Sequence, residues 1–184
     1  LPYKDKPLDL YRSPMWHAEY DFEKRSPYAS LQTSLGCVFK CDFCMINLIN
    51  RNDSKEIGVA SKYSNMRFWS TDFIIKEFDK LINMGVHTIR IVDEMFLLNP
   101  KYYVPLCEKL ATRNKDDKLR MWSYSRIDTI KRPEVLELVR KAGIKWLCLG
   151  IESGDKSVRL EVAKGKFEDV DVRQVTKKVH EADI

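Results

Sequence analysis

Between residues 29 and 153 the chain alternates four times between a short β-branched or apolar run and a stretch whose apolar residues recur at helical spacing. This repeat restricts the fold more than any other feature, because parallel strands need a crossover between them and the crossover is usually a helix. The runs are "ASLQTSL", "HTIRIVDEM", "LRMWSYSRID" and "IKWLCLGIES". After a polar connection over 50–65, Ser70 caps a predicted helix that has Ile74, Phe78, Leu81 and Ile82 on one face, and Gly85 ends it. Asn99 and Pro100 open the next helix, with Tyr103, Cys107, Leu110 and Ala111 on one stripe. Pro133 opens a third, with Val135, Leu136, Val139 and Ala142 turned inward and Gly143 as its stop. A short helix around 158–163 and a longer one over 171–182 follow the fourth strand. The pattern predicts an α/β fold with parallel strands and outer helices, and by itself it leaves a barrel and an open doubly wound sheet both open.

The polar residues argue for the barrel. Cys37, Cys41 and Cys44 follow the first strand, Asp93 and Glu94 end the second, Arg126 and Asp128 end the third, and Glu152 and Ser153 end the fourth. Barrel enzymes gather their working groups at the C-terminal ends of the strands, so all four sets would share one rim. Each has a plainer reading beside it. Asp93 and Glu94 could be a solvated strand end. Arg126 and Asp128 could pair at the surface, where such pairs contribute about 0–1 kcal/mol. Glu152 and Ser153 could cap the helix that follows.

The stretch "GCVFKCDFCMIN" places three cysteines within eight residues. An iron–sulfur cubane normally takes four thiolates, so a loop that offers three can hold three irons and leave the fourth for a chelating small molecule. Phe39 and Phe43 would shield such a cluster from water. The competing reading is a non-catalytic zinc or iron–sulfur module; zinc wants a fourth ligand, and neither His17 nor His87 is placed to supply one. Cys107 and Cys148 stand in apolar surroundings and read as buried small side chains.

Composition, at 44% hydrophobic and 32% charged, is that of a folded domain. A net charge of +5 spread among acids gives little support for nucleic-acid binding, and there is neither a secretory h-region nor an apolar run of the roughly 20 residues that cross a bilayer. An odd number of clustered cysteines points to thiolate chemistry in a reducing, cytoplasmic setting. Residues 1–28, rich in proline and aromatics, read as an irregular linker or N-terminal extension, and 29–184 as the core domain. The lack of an initial methionine and the end at "KKVHEADI" lead to the expectation of a fragment.

The C-x3-C-x2-C motif after the first strand, with an aromatic before its last cysteine, resembles the signature of the radical S-adenosylmethionine (radical SAM) enzymes. The likeness runs from about Tyr28 to the C-terminus. It implies a partial (β/α) TIM-like barrel with about four of six βα units present, truncated before strand five. It further implies a 4Fe-4S cluster on Cys37, Cys41 and Cys44, and S-adenosyl-L-methionine bound to the open iron and cleaved to a 5'-deoxyadenosyl radical. "VDEM" takes the place of the family's Gly-Gly-Glu-like motif without its glycines, which nominates Glu94 with Asp93 for the amino group of the cofactor. "SYSRID" nominates Arg126 for its carboxylate, and "GIESGDKSV" nominates Glu152 and Ser153 near the ribose or amino acid; Phe43 is placed beside the cluster. "YASLQTSLGC", "MRFWS" and "LGIESG" are most similar to the cobalamin-binding subgroup, which implies cobalamin through a domain missing here and support of methyl transfer. The implied partners are a small-molecule substrate and an electron donor such as flavodoxin or ferredoxin, with no nucleic acid and no membrane. Alone, the 184 residues are expected to turn over poorly.

Overall fold

The chain folds in the order β1 (Tyr28–Leu31), β2 (Ser34–Leu35), α1 (Ile46–Ile49), β3 (Arg67–Phe68), α2 (Thr71–Asn83), β4 (Thr88–Ile91), α3 (Pro100–Arg113), β5 (Arg120–Arg126), α4 (Pro133–Lys141), β6 (Ile144–Gly150), α5 (Lys156–Val162) and α6 (Val172–Glu181). The structure, a computed structural model, describes residues 12, 25–49, 65–130, 132–162 and 170–184. The expectations for His17 and most of the linker, and for the connection over 50–64, lie outside them.

Local chemistry sets the helix ends. The Ser70 hydroxyl accepts the Phe73 N–H at 3.3 Å, the Asn99 side-chain oxygen accepts the Lys101 N–H at 3.2 Å, and Asp171 accepts the Gln174 N–H at 3.0 Å. Each satisfies a donor that a helix N-terminus leaves unpaired. Gly143 closes the α4 turn at φ +103°, and a Cβ there would stand 2.6 Å from Leu119 Cβ. Only glycine combines that conformation with that approach.

Four strands form one parallel sheet in the order β1-β4-β5-β6. Strand register sorts the side chains onto two faces. Ala29, Ile89 and Met121 are paired across the sheet and belong to a core with Ile74 and Phe78 of α2, Leu106 and Leu110 of α3 and Val139 of α4. Ser30, Arg90, Trp122 and Trp146 are likewise paired, and lie on the opposite face with Tyr124 and Cys148. A doubly wound sheet would be covered by helices on both faces. Here α2, α3 and α4 share one face, which is the construction of a barrel wall.

Two expectations change. "ASLQTSL" is not one strand: the Val92 N–H still donates to the Leu31 carbonyl at 3.0 Å, but then the Thr33 N–H leaves the ladder for the Asp93 carboxylate. Ser34–Leu35 pair instead with Arg67–Phe68, antiparallel, in a separate two-stranded ribbon. Cys148 is exposed rather than buried, because β6 is the edge of the described sheet and Cys148 points to the face without helices, while Leu147 and Leu149 point to the packed one. Cys107 is fully buried, as expected.

Tyr102 of α3 ties the helix layer to the corner after β1. Its hydroxyl donates to the Thr33 carbonyl at 2.8 Å, and burial pushes its pKa up to about 12. An unfolded tyrosine titrates near 10, so the folded pKa is the higher one. The stabilisation it reports is whole below pH 10 and is lost as pH rises from 10 toward 12. Tyr102→Phe should cost about 1–2 kcal/mol, since the Thr33 carbonyl loses its donor. It should also weaken the alkaline loss, which urea melts below and above pH 10 will measure; an unchanged alkaline loss in the variant would refute this assignment.

Candidate metal centre

The cysteine loop starts one residue after β2. Asp93, fully buried at the end of β4, accepts the Thr33 N–H at 2.6 Å, the Thr33 hydroxyl at 2.5 Å and the Ser34 hydroxyl at 2.7 Å. These bonds fix the corner from which the loop departs. Glu94 continues the grip, accepting the Gly36 N–H at 3.1 Å immediately before Cys37. The two adjacent acids thus divide their work: Asp93 spends both oxygens on the corner, and Glu94 keeps Oε1 without a bond among the described residues.

Within the loop, the Phe39 N–H donates to Cys37 Sγ at 3.4 Å, and the Cys44 N–H donates to the Cys41 carbonyl at 3.1 Å, closing a tight turn between the second and third cysteines. Cys37 and Cys41 are buried and Cys44 is half-buried. Burial is the main reason the Cys37 thiol is pushed up to about 11; the Phe39 amide works against this, and Cys41 and Cys44 add to it. Burial also raises Cys41, opposed by Arg126 and reinforced by Glu152. The three thiols therefore lie within electrostatic reach of one another. Two thiolates on one tetrahedral metal ion stand about 3.8 Å apart, from a metal–sulfur bond of about 2.3 Å. Among the described residues no three His, Cys, Asp or Glu side chains form a group that could hold one metal ion. A multi-iron cluster takes its thiolates on separate irons, and three neighbouring thiols on one partly buried loop suit that donor set.

The ends of β5 and β6 face this loop. Arg126, only 4% exposed, directs its Nε to Asp128 Oδ1 at 2.7 Å and a second nitrogen to Asp128 Oδ2. Its guanidinium carbon lies 3.5 Å from the centre of the Phe39 ring, and its charge acts on Cys41. The Arg126–Asp128 pair is thus buried rather than superficial, and the cation sits beside a thiol. Glu152 adopts φ +67°, a left-handed conformation that side chains rarely hold. This turns its carboxylate back over Gly150, where a Cβ would be 2.8 Å from Oε1 and 3.5 Å from the Arg126 chain. The absent side chain of Gly150 makes room for the returning acid.

Two nominated residues stand apart from this group. The Ser153 hydroxyl accepts the Asp155 N–H at 3.1 Å, and its carbonyl is held by Arg159 at 2.9 Å, so Ser153 builds the turn into α5. Phe43 is 61% exposed, and it is Phe39 that packs into the interior. A cavity of about 300 Å³ opens beside Phe39 on the helix side, bounded by Leu97, Tyr103, Asp128, Ile130 and Leu136. Sequence reasoning treated Phe39 only as a shield; its place under Arg126 follows from a loop packed against the strand ends. Among the described residues no helix is long and apolar enough to cross a membrane.

Residues 31–184 match the Radical SAM superfamily. Over 142 residues, 74% of this chain and 24% of the relative, the sequence is 31% identical to hopanoid C-2 methylase of Rhodopseudomonas palustris. It is 27% identical over 158 residues, 81% of this chain and 22% of the relative, to anaerobic magnesium-protoporphyrin IX monomethyl ester cyclase of Cereibacter sphaeroides. The chain therefore spans about a quarter of the length of these curated relatives. Its fold is similar to that of the radical S-adenosylmethionine methyltransferase TsrM of Kitasatospora setae, solved with cobalamin and a [4Fe-4S] cluster, with a TM-score of 0.64 and 17% identity over 88% of this chain and 29% of the other. With its parallel sheet, one-sided helices and cysteine loop at the strand ends, this chain belongs to the Radical SAM superfamily.

Proposed function

We propose that this chain is the cluster- and cofactor-binding part of a radical SAM enzyme, with Cys37, Cys41 and Cys44 as ligands of a 4Fe-4S cluster and the remaining iron open to S-adenosyl-L-methionine. The observation that carries the reading is the convergence at the strand ends: three mutually interacting thiols, with Arg126 and Glu152 acting on Cys41. When bound, the cluster supplies the electron that cleaves the sulfonium, giving a 5'-deoxyadenosyl radical or supporting cobalamin-dependent methyl transfer as in the relatives named above.

The chain's own residues hold and orient. Arg126 places a fixed positive charge beside Cys41, which favours the thiolate that metal binding requires. Asp128 holds one edge of that guanidinium and Phe39 one face, so the cation is positioned before any ligand arrives. Glu94 fixes the start of the loop through Gly36 and offers Oε1 to the amino group of the cofactor. Glu152 reaches the same region from β6, on the turn that Ser153 shapes. Asp93 positions the corner, and Phe43 lies on the outer side of the loop, where an electron donor such as flavodoxin or ferredoxin would approach. An odd number of clustered cysteines suits a reducing cytoplasm. Alone, the chain should bind its cluster yet cleave the cofactor poorly, because β6 leaves a strand edge next to Glu152 unpaired among the described residues.

Anaerobic reconstitution with iron and sulfide tests the reading. The expected product is brown, with about four irons and four sulfides per chain. One equivalent of zinc in a colourless protein that refuses iron would establish the non-catalytic module instead.

A further inference from the structure

The sheet face turned away from the helices carries a charge that the metal centre does not use. Arg90 on β4 lies between Ser30 of β1 and Trp122 of β5. Its guanidinium carbon stands 4.6 Å from the centre of the Trp122 ring and 5.3 Å from that of Tyr124, and Nη2 donates to the Tyr124 hydroxyl. Among the described residues Nε is buried without a partner, and Nη1 forms no hydrogen bond. Among the described residues no carboxylate pairs with Arg90. Two aromatic rings therefore hold a cation in one orientation, with an open N–H and, among the described residues, no counter-charge beside it. A partly desolvated charge left this way is unfavourable until an anion meets it.

The position is as telling as the charge. Tyr124 and Cys148 precede Arg126 and Gly150 by two residues along paired strands. Two residues advance a strand by about 6.6 Å. Tyr124 is thus one layer below the group formed by Arg126, Glu152 and Cys41, and Arg90, which pairs with Trp122, is rooted two layers, about 13 Å, below it.

We propose that this face binds the substrate and that Arg90 is its specificity determinant, gripping a carboxylate on a planar apolar body; the inference rests on the reading of the chain as a radical SAM enzyme. Nη1 of Arg90 donates to one carboxylate oxygen. The Tyr124 hydroxyl, which accepts from Arg90, directs its own proton to the other. Trp122 and Trp146, neighbours across β5 and β6, offer flat apolar surface for the body of the molecule. A phosphate dianion would call for further cations, and the positions paired with Arg90 at its own level are Ser30, Trp122 and Trp146.

Equilibrium dialysis of the reconstituted full chain with 2-naphthoate and with its neutral counterpart 2-naphthamide tests the proposal. The expected result is at least about tenfold tighter binding of the carboxylate, the size of one charge-assisted pair. Arg90→Gln should abolish the preference, and Tyr124→Phe should reduce it several-fold. Equal binding of the two probes, binding of neither, or an undiminished preference in Arg90→Gln that is folded by circular dichroism would overturn the assignment. If Arg90→Gln does not fold, the wild-type comparison and Tyr124→Phe still decide. The dialysis needs neither a reductant nor S-adenosyl-L-methionine, so its failure is separate from failure of iron loading.

Discussion

Replacing Cys41 by alanine leaves a chain that folds but assembles no stable 4Fe-4S cluster, and it lowers cleavage of S-adenosyl-L-methionine by the complete enzyme at least about a hundredfold. Loss of an outer partner of a metal ligand already reduces metal affinity or activity by about 10- to 100-fold, and loss of the ligand itself removes more. Cys41 is the most informative of the three positions because Arg126 and Glu152 both act on it. Without the thiolate, the buried guanidinium faces an apolar methyl group. Cys148→Ala is the matched control: its thiol is exposed, on the face of β6 turned away from the helices and outside the loop, so iron and sulfide content should stay at the wild-type level. Iron and sulfide analysis after anaerobic reconstitution measures both. Wild-type iron in Cys41→Ala would remove this residue from the ligand set.

The largest effect on stability is expected at Asp93. Its carboxylate is fully buried and takes two donors from Thr33 and one from Ser34. Asp93→Ala leaves all three donors without their acceptor in a site closed to water, which should cost about 3–5 kcal/mol. Asp93→Asn keeps one acceptor oxygen but turns an amide N–H₂ toward groups that want to donate, so it should be milder and still destabilising. Urea unfolding will show the loss as a lower midpoint; a change below about 1 kcal/mol would mean that the corner is held by something else. The effect reaches the metal centre, because Gly36 and Cys37 follow directly from this corner. Asp93→Ala should therefore load iron less completely at temperatures where the wild type loads fully.

Much of this was legible in the chain because it is written in local chemistry. Ser70, Asn99 and Gly143 mark helix ends by bonds and conformations that few other residues provide. The cysteine spacing identifies the loop because three thiolates so close together have few other uses. Information carried by side-chain direction was not legible. Asp93 and Glu94 are neighbours of similar chemistry, yet one is consumed by the corner and the other reaches Gly36. Arg126 and Asp128 read equally well as an exposed pair or as a buried one; the Phe39 ring beneath them decides, and it comes from a loop far away in sequence. The break in "ASLQTSL" has no local signal, since Thr33 leaves the ladder for an acid 60 residues further on. Cys148 looked buried because its sequence neighbours are leucines, while its exposure depends on which strand stands at the edge. Arg90 was overlooked for a related reason. Strands read as buried on both faces hide the placing of Arg90, between Ile89 and Ile91, on the same face as Trp122 and Tyr124, and that alternation could have revealed a second face.

The most direct test of the central claim is electron–nuclear double resonance on the reduced, reconstituted protein with S-adenosyl-L-methionine labelled with ¹⁵N in its amino group and ¹⁷O in its carboxylate. If three thiolates leave one iron open to the cofactor, both labels couple to the cluster spin, and both couplings vanish in Cys41→Ala along with the cluster. A fully assembled, reducible cluster whose spectrum carries neither coupling would contradict the account.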